Sequence, residues 1–220
     1  MSQKSADLQR LIDCGVIAIL RAPTTEQARQ LASAVNEGGI VGLEVALTTP
    51  GAVPLIRELS GTLGDRARIG AGTVLNARQA HEALEAGARF IASPAYDPQV
   101  LQVTLRAGMV AIPGALTPAE ILNAWRAGAD LVQVFPSASV GPAYFRDLLR
   151  SLPHLRLMAV GGVRLRDVAE WIRSGAMLVG VGADLVLDGA VERGDWKAVA
   201  RRVKDFVTAV QAARAQPPIG

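Results

Sequence analysis

The stretch that decides the fold is Asp130-Leu-Val-Gln-Val-Phe-Pro-Ser-Ala-Ser-Val-Gly-Pro142. Its apolar run, residues 131–135, predicts a buried strand, and Pro136 ends that strand because proline has no N–H to offer a neighbour. Gln133 interrupts the run. A buried amide without hydrogen-bonding partners costs about 1–3 kcal/mol. We therefore expect Gln133 to be hydrogen-bonded, functional, or both.

The same organisation recurs along the chain. A helical stretch ends in a small residue and a glycine, which suits the left-handed residue that closes a helix, and an apolar strand follows. Eight strands that alternate with helices predict an α/β protein, a closed (β/α)8 barrel of the TIM type. An open doubly wound sheet is the alternative, but residues 21–24 carry no nucleotide-binding fingerprint. The predicted strands cover residues 16–21, 40–47, 66–71, 89–92, 109–112, 131–135, 155–160 and 177–181.

The chain of 220 residues is expected to form one domain. An extra helix precedes a barrel over about 16–190, and a last helix covers about 194–214. Helix-capping patterns follow several predicted strands and mark the carboxyl ends of the strands, where barrel enzymes keep their chemistry. These patterns are Thr24 with Gln27, Thr49-Pro50, Asp97-Pro98, and Thr117 with Glu120.

Composition excludes several functions. The net charge is only +3 and the arginines are scattered, which argues against nucleic-acid binding. Cys14 is the one cysteine and His81 and His154 are the two histidines, so we expect neither disulfides nor a metal site. The apolar run 16–20 is too short to span a membrane. A cytoplasmic protein is the expectation.

Two charged residues interrupt or end apolar strands. Glu44 lies in an otherwise apolar strand, where burial would displace its pKa toward neutrality, as suits a proton shuttle. A structural carboxylate satisfied by its neighbours is the alternative. Arg21 ends the first strand, where a guanidinium could hold a carboxylate or phosphate, unless it is simply solvated.

Glycines follow three of the strands. Residues 70–76, Gly-Ala-Gly-Thr-Val-Leu-Asn, form a turn that a ligand can approach closely. Gly161-Gly162 and Gly182-Ala183 follow strands seven and eight, where barrels often bind phosphate through main-chain N–H groups. These segments therefore predict an anion site.

Three segments resemble the 2-keto-3-deoxy-6-phosphogluconate (KDPG) and 4-hydroxy-2-oxoglutarate (KHG) aldolase family, namely residues 70–76, 133–137 and 159–163. The resemblance extends over about 16–186 and is closest to the 2-dehydro-3-deoxy-6-phosphogalactonate branch, which shares Val160. It implies Schiff-base cleavage of a 2-keto-3-deoxy-6-phospho sugar acid into pyruvate and glyceraldehyde 3-phosphate. It also implies a homotrimer without metal or organic cofactor.

The resemblance implies roles for individual residues. Glu44 would be the general acid and base, and Thr73 would cradle the carboxylate of pyruvate. The position that holds a second substrate arginine in the KDPG branch is Thr48 here, and the position of a phosphate-binding serine is Ala183. The other implied substrate contacts are Arg21, Pro94, Phe135 and Val160, and the implied phosphate contacts are Gly161, Gly162, Gly182 and Ala183.

Gln133 occupies the position that, by resemblance, holds the Schiff-base lysine. An amide nitrogen is delocalised and cannot form an imine. The three lysines, Lys4, Lys197 and Lys204, lie in the terminal helices. We therefore expect impaired or absent aldol cleavage, or else a non-catalytic barrel that binds a phosphorylated keto acid or serves as a scaffold.

Three explanations of Gln133 stay open. In the first, the glutamine is a substitution introduced in the laboratory, and in the second it marks a natural relative that has lost aldol cleavage and still binds a keto acid. In the third, the pocket catalyses a different reaction, in which Gln133 hydrogen-bonds a carbonyl while Glu44 moves a proton.

Overall fold

Eight parallel strands close into a barrel in the computed structural model, which describes residues 2–186 and 189–219. Each strand pairs with the next along the chain, and the last pairs with the first. The predicted (β/α)8 architecture is therefore confirmed. The strands are β1 (Val16–Leu20), β2 (Gly42–Ala46), β3 (Arg68–Gly72), β4 (Phe90–Ser93), β5 (Val110–Ala115), β6 (Val132–Val134), β7 (Leu157–Val160) and β8 (Leu178–Val181).

One helix follows each strand, and an extra helix precedes the barrel as predicted. The predicted last helix is present, although it begins at Trp196. Within the described residues, no helix is long and apolar enough to cross a membrane. The helices are α1 (Gln3–Cys14), α2 (Thr25–Glu37), α3 (Ala52–Leu63), α4 (Ala77–Glu85), α5 (Pro98–Arg106), α6 (Pro118–Arg126), α7 (Pro142–Ser151), α8 (Val168–Arg173) and α9 (Trp196–Arg214).

Three of the four predicted helix caps are confirmed. The side chains of Thr24, Asp97 and Thr117 accept main-chain N–H groups at the starts of α2, α5 and α6. The prediction at Thr49 is wrong, because α3 begins at Ala52 after Gly51. Thr49 is instead buried in a turn, where its N–H donates to the Ala46 carbonyl at 2.8 Å.

Strand β5 is longer than predicted and continues through Pro113 and Gly114 to Ala115. Pro113 pairs with Ser93 of β4, and Gly114 pairs with Gln133 of β6. The pairing of β5 with β6 continues beyond Pro113, because it uses the main-chain groups of Gly114 and Ala115. This extension brings β5 up to the level of Gln133.

The apolar residues form two separate cores. The larger lies between the outside of the barrel and the helices, and the smaller fills the barrel. Side chains alternate along a strand, so one strand supplies both cores. The inner core contains Leu11, Ile17, Phe90, Ala92, Val110, Ile112, Leu131, Met158, Val160 and Leu178.

Helix α1 closes the amino-terminal end of the barrel. Its Leu11 belongs to the inner core, and a Cβ on Gly42 would lie 2.6 Å from Leu11 Cδ2. Its Asp7, 1% exposed, pairs with both Arg68 and Arg89 at 2.5 Å. Lys4 pairs with Asp130 at 2.9 Å. The end that remains open is therefore the carboxyl end of the strands.

Candidate active site

A cavity of about 660 Å³ opens at the carboxyl ends of β1, β7 and β8. Seven of the predicted site residues line it, whereas Glu44, Gln133, Thr73 and Pro94 do not. The floor includes Ile19 and Val160, which also belong to the inner core or pack against it. The seven are Arg21, Phe135, Val160, Gly161, Gly162, Gly182 and Ala183.

Glu44 and Gln133 both face the barrel interior. Glu44 lies between Leu43 and Val45, and Gln133 between two valines, and all four of these neighbours belong to the outer core. The polar side chains must therefore point inward. Strands β2 and β6 are separated by three strands on either side of the ring, β3 to β5 and β7 to β1, so these residues approach the interior from opposite walls.

The carboxyl group of Glu44 is buried against Gly72 of β3. The residue is 4% exposed, and a Cβ at position 72 would overlap Oε1 and Cδ of Glu44. Oε2 is buried and has no hydrogen-bond partner within the described residues. Burial raises the pKa of Glu44 to about 7, and the charge of Arg21 partly offsets that rise. Glu44 can therefore hold or release a proton near neutral pH.

Arg21 and Ile19 connect Glu44 to the cavity. Ile19 is the register partner of Glu44 across the β1–β2 pair and lines the cavity floor. Arg21 is exposed and lines the same cavity. The buried carboxyl thus adjoins the wall of the cavity without forming part of it.

The Gln133 side chain has one hydrogen-bond partner among the described residues. It is 5% exposed, and its Nε2 donates to the Ser93 carbonyl at 2.5 Å. Gly114 makes this approach possible, because a Cβ there would overlap the carbonyls of Ser93 and Pro94. An amide carries two N–H groups and one acceptor oxygen, so one N–H and the oxygen remain for another partner.

Thr73 and Pro94 follow strands β3 and β4 and are half-buried. Thr73 has a φ of 58°, a left-handed conformation that is rare for a residue other than glycine. The neighbouring main chain is held by the bond from Val74 N–H to the Ala92 carbonyl, at 3.2 Å. The turn that begins at Thr73 is therefore fixed against β4.

The turn after β7 is attached to the turn after β6. Ser137, fully buried, donates from Oγ to the Val134 carbonyl at 2.7 Å and accepts from Val160 N–H at 3.0 Å. Gly161 and Gly162 then adopt φ values of 87° and 81°, which glycine tolerates. A Cβ on Gly162 would lie 2.5 Å from the Cβ of Ala138, so the two turns touch.

The turn after β8 carries the one carboxylate among the described residues that line the cavity. Asp184 Oδ2 accepts from Arg202 Nη2 at 2.5 Å and from Leu165 N–H at 2.9 Å. Arg202 Nε also donates to the Asp184 main-chain carbonyl at 3.1 Å. Asp184 therefore ties the turns after β7 and β8 together and is already neutralised.

The described part of the barrel interior contains no amine. Lys4 is paired with Asp130 at the closed end, and Lys197 and Lys204 are exposed on α9. The structure thus places all three lysines of the chain away from the cavity, as the sequence led us to expect.

Sequence reasoning missed several residues of the cavity. Arg164 lines it, and so does Asp184, while Ser137 holds the turns after β6 and β7 together. The charged residues gave no signal because arginines and acids are scattered through this chain.

The fold and the cavity define a class: a barrel with a buried, protonatable carboxyl beside a ligand-sized pocket at the carboxyl ends of its strands. Residues 8–202 match the profile of the KDPG and KHG aldolase family. The chain belongs to that family, whose members are aldolases, and the resemblance drawn from residues 70–76, 133–137 and 159–163 is confirmed.

Among the relatives is the 2-dehydro-3-deoxy-6-phosphogalactonate aldolase of Escherichia coli, 36% identical over 89% of this chain and 96% of its own length. A solved native KDPGal structure superimposes with a TM-score of 0.84 at 33% identity, over 91% of this chain and 96% of that one. The KDPG aldolase of Legionella pneumophila, solved with pyruvate captured as a covalent carbinolamine, gives a TM-score of 0.84 at 27% identity, over 91% and 97%.

Proposed function

We propose that this chain binds a phosphorylated 2-keto acid at the carboxyl ends of its strands and does not cleave it through a Schiff base. The observation that carries the proposal is the amide of Gln133, which faces the barrel interior where no lysine lies among the described residues. The substrate class comes from the relatives, which include aldolases of 2-dehydro-3-deoxy-6-phosphogalactonate and of 2-dehydro-3-deoxy-phosphogluconate.

The chemistry supports the loss of imine formation. A Schiff base needs a neutral amine whose lone pair attacks the keto carbon. The lone pair of an amide nitrogen is delocalised into its carbonyl, and Gln133 Nε2 donates a hydrogen bond to Ser93 instead. Gln133 would therefore position a keto group by hydrogen bonding without forming a covalent bond to it.

The cavity supports the binding half of the proposal. Its volume of about 660 Å³ suits a small sugar acid. Arg21 brings a guanidinium to it, and the turns at Gly161-Gly162 and Gly182-Ala183 bring main-chain groups. We propose that Arg21, Phe135 and Val160, which line the cavity, contact the organic part of the ligand, and that the glycine turns contact the phosphate. Thr73 and Pro94 lie outside the cavity lining, and for them the proposed contact with the organic part rests on the family resemblance alone.

Ligand binding and turnover test the two halves separately. We expect 2-keto-3-deoxy-6-phosphogalactonate or its gluconate epimer to raise the melting temperature at millimolar concentration. Release of pyruvate, followed with lactate dehydrogenase, should be absent in the unmodified chain and present in Gln133→Lys. The control Gln133→Met keeps the length of the side chain without an amine and should stay inactive. Failure of both ligands to raise the melting temperature would contradict binding.

A second candidate function rests on Glu44. Its buried Oε2 has no partner among the described residues, and its pKa of about 7 lets it exchange protons at neutral pH. Glu44 would remove a proton from the carbon next to a keto group. The electron pair would move onto the carbonyl oxygen, which the remaining N–H of Gln133 would stabilise, and the carbon would then be reprotonated.

Isotope exchange tests this second function. In D₂O the chain should exchange the methyl protons of pyruvate for deuterium faster than buffer alone does, as measured by proton NMR. In Glu44→Gln the exchange rate should fall to the rate in buffer. Exchange that survives in Glu44→Gln would remove Glu44 from the reaction.

The proposed assembly rests on the family resemblance, and the proposed compartment on the presence of a single cysteine, Cys14. We propose a homotrimer in the cytoplasm. A mass by sedimentation equilibrium that equals that of one chain would contradict the trimer.

A further inference from the structure

We propose that Arg164 binds the phosphate group of the ligand at the cavity entrance, as a specificity residue for phosphorylated over unphosphorylated keto acids. This inference rests on the proposed function and adds to it a residue that selects the substrate.

The charge of the cavity is the first step. Three charged side chains line it among the described residues, namely Arg21, Arg164 and Asp184. Asp184 is already occupied by Arg202 and by the N–H of Leu165. The cavity therefore presents two guanidinium groups with no free carboxylate opposite them, an environment that favours an anion with more than one negative charge.

The second step concerns the contacts that the Arg164 side chain already makes. Its side chain is 56% exposed, and its one ion pair is with Asp167, at 3.9 Å, near the limit for such a pair. It makes no hydrogen bond with the other described side chains. The guanidinium is therefore free to turn toward a ligand, and the loss of so loose a pair costs little.

The position of Arg164 is the third step. It directly follows the Gly161-Gly162-Val163 turn, whose Val163 is buried. Because Val163 is buried, the main chain of Arg164 is held at the edge of the glycine turn. Both Arg164 and the main-chain groups of this turn line the same cavity.

Ala183 gives the fourth step. It lines the cavity on the β8 side and has no hydroxyl to offer a phosphate oxygen. On this wall, a phosphate would have only main-chain groups and Asp184, which is acidic. A planar guanidinium can hold two phosphate oxygens at once, so Arg164 supplies the charge that the wall lacks.

The test compares two neighbouring arginines. Arg164→Gln removes the proposed contact, and Arg166→Gln is the matched control, because Arg166 is exposed in the same segment, pairs with the same Asp167 and does not line the cavity. Binding of 2-keto-3-deoxy-6-phosphogalactonate, of its dephosphorylated form and of inorganic phosphate is measured by calorimetry at fixed salt. Circular dichroism verifies that both variants fold.

We expect Arg164→Gln to weaken binding of the phosphorylated acid and of inorganic phosphate by about tenfold or more, because a charge-assisted bond is lost. Binding of the dephosphorylated acid should change less than about twofold. Arg164→Lys keeps the charge but lacks the planar guanidinium that can hold two oxygens, and it should recover part of the affinity. Arg166→Gln should bind all three ligands as tightly as the unmodified chain.

Equal affinity of Arg164→Gln and the natural chain for the phosphorylated acid would overturn the role of Arg164 and leave the proposed function standing. An equal loss for the dephosphorylated acid would also overturn it, because the effect would not be specific to phosphate. If the natural chain binds none of the three ligands, the proposed function and this inference fail together.

Discussion

The carboxyl group of Glu44 occupies the space that a side chain at Gly72 would fill. Glu44 lies on β2 and Gly72 on the adjacent β3, and a Cβ on the glycine would overlap Oε1 and Cδ of the glutamate. The absent side chain thus creates the buried position in which desolvation raises the pKa of Glu44 to about 7. The protonation state of this site is therefore set by a glycine on a neighbouring strand.

Gly72→Ala should displace the Glu44 carboxyl. The added methyl group overpacks a buried position, which costs about 1–3 kcal/mol of the free energy of unfolding, and the carboxyl must move from its site. We expect lower stability in urea titrations and a pKa of Glu44 closer to that of a solvated carboxyl, measured by carbon NMR. The control Gly61→Ala lies in α3, where a Cβ meets nothing within 4 Å, and should leave the pKa of Glu44 unchanged while raising stability slightly, because alanine favours a helix over glycine. An unshifted pKa in Gly72→Ala would show that the glycine does not place the carboxyl.

Burial of Glu44 should make the stability of the fold depend on pH. Its folded pKa of about 7 lies above the ordinary glutamate value of 4.5, so the folded state binds the proton more tightly than the unfolded state. The stabilising contribution is full below pH 4.5 and is lost as the pH rises through 7.

Comparison with Glu44→Gln isolates this contribution, because the other titrating groups cancel. Between pH 4 and pH 8 the natural chain should lose roughly 3 kcal/mol of unfolding free energy relative to Glu44→Gln, measured by urea denaturation. If the unfolding free energies of the two proteins changed with pH in parallel, the Glu44 carboxyl would have the same pKa in the folded and unfolded states.

Asp7 should be essential to the closed end of the barrel. It is 1% exposed and pairs with two arginines, so Asp7→Asn leaves two guanidinium groups near each other without a carboxylate. We expect a loss of about 3–5 kcal/mol in unfolding free energy. The control Asp65→Asn removes a 99% exposed carboxylate that contacts the same Arg68 and should change stability very little. Equal effects of the two substitutions would contradict a structural role for the buried pair.

Much of the fold could be predicted from local pattern. Small-residue and glycine pairs end the helices, apolar runs give the strands, and the count of eight closes the barrel. Glu44 and Gln133 stood out because each interrupts an apolar run, and both are indeed buried and inward-facing. Local pattern was enough where the deciding interaction lies within one strand and its flanking turns.

The rest depends on register and on contacts between distant turns. Gly72 lies in the glycine segment 70–76, but its importance comes from the side chain of Glu44, two residues before its register partner Ala46 on β2, and no local pattern shows that contact. Arg164 is one of many scattered arginines, and only the closing of the barrel brings it to the cavity with Arg21. Thr49-Pro50 carries a helix-start pattern, yet Gly51 takes a left-handed conformation and starts the helix later.

The central claim is that the part of the barrel that the structure describes contains no amine able to form an imine with a keto acid. Borohydride reduction in the presence of pyruvate, read by intact mass and peptide mapping, tests it most directly. A triple variant, Lys4→Arg, Lys197→Arg and Lys204→Arg, controls for slow reaction of the lysines outside the barrel. We predict no pyruvyl adduct on the unmodified chain and a single adduct at position 133 in Gln133→Lys. A stoichiometric adduct on the unmodified chain would contradict the account.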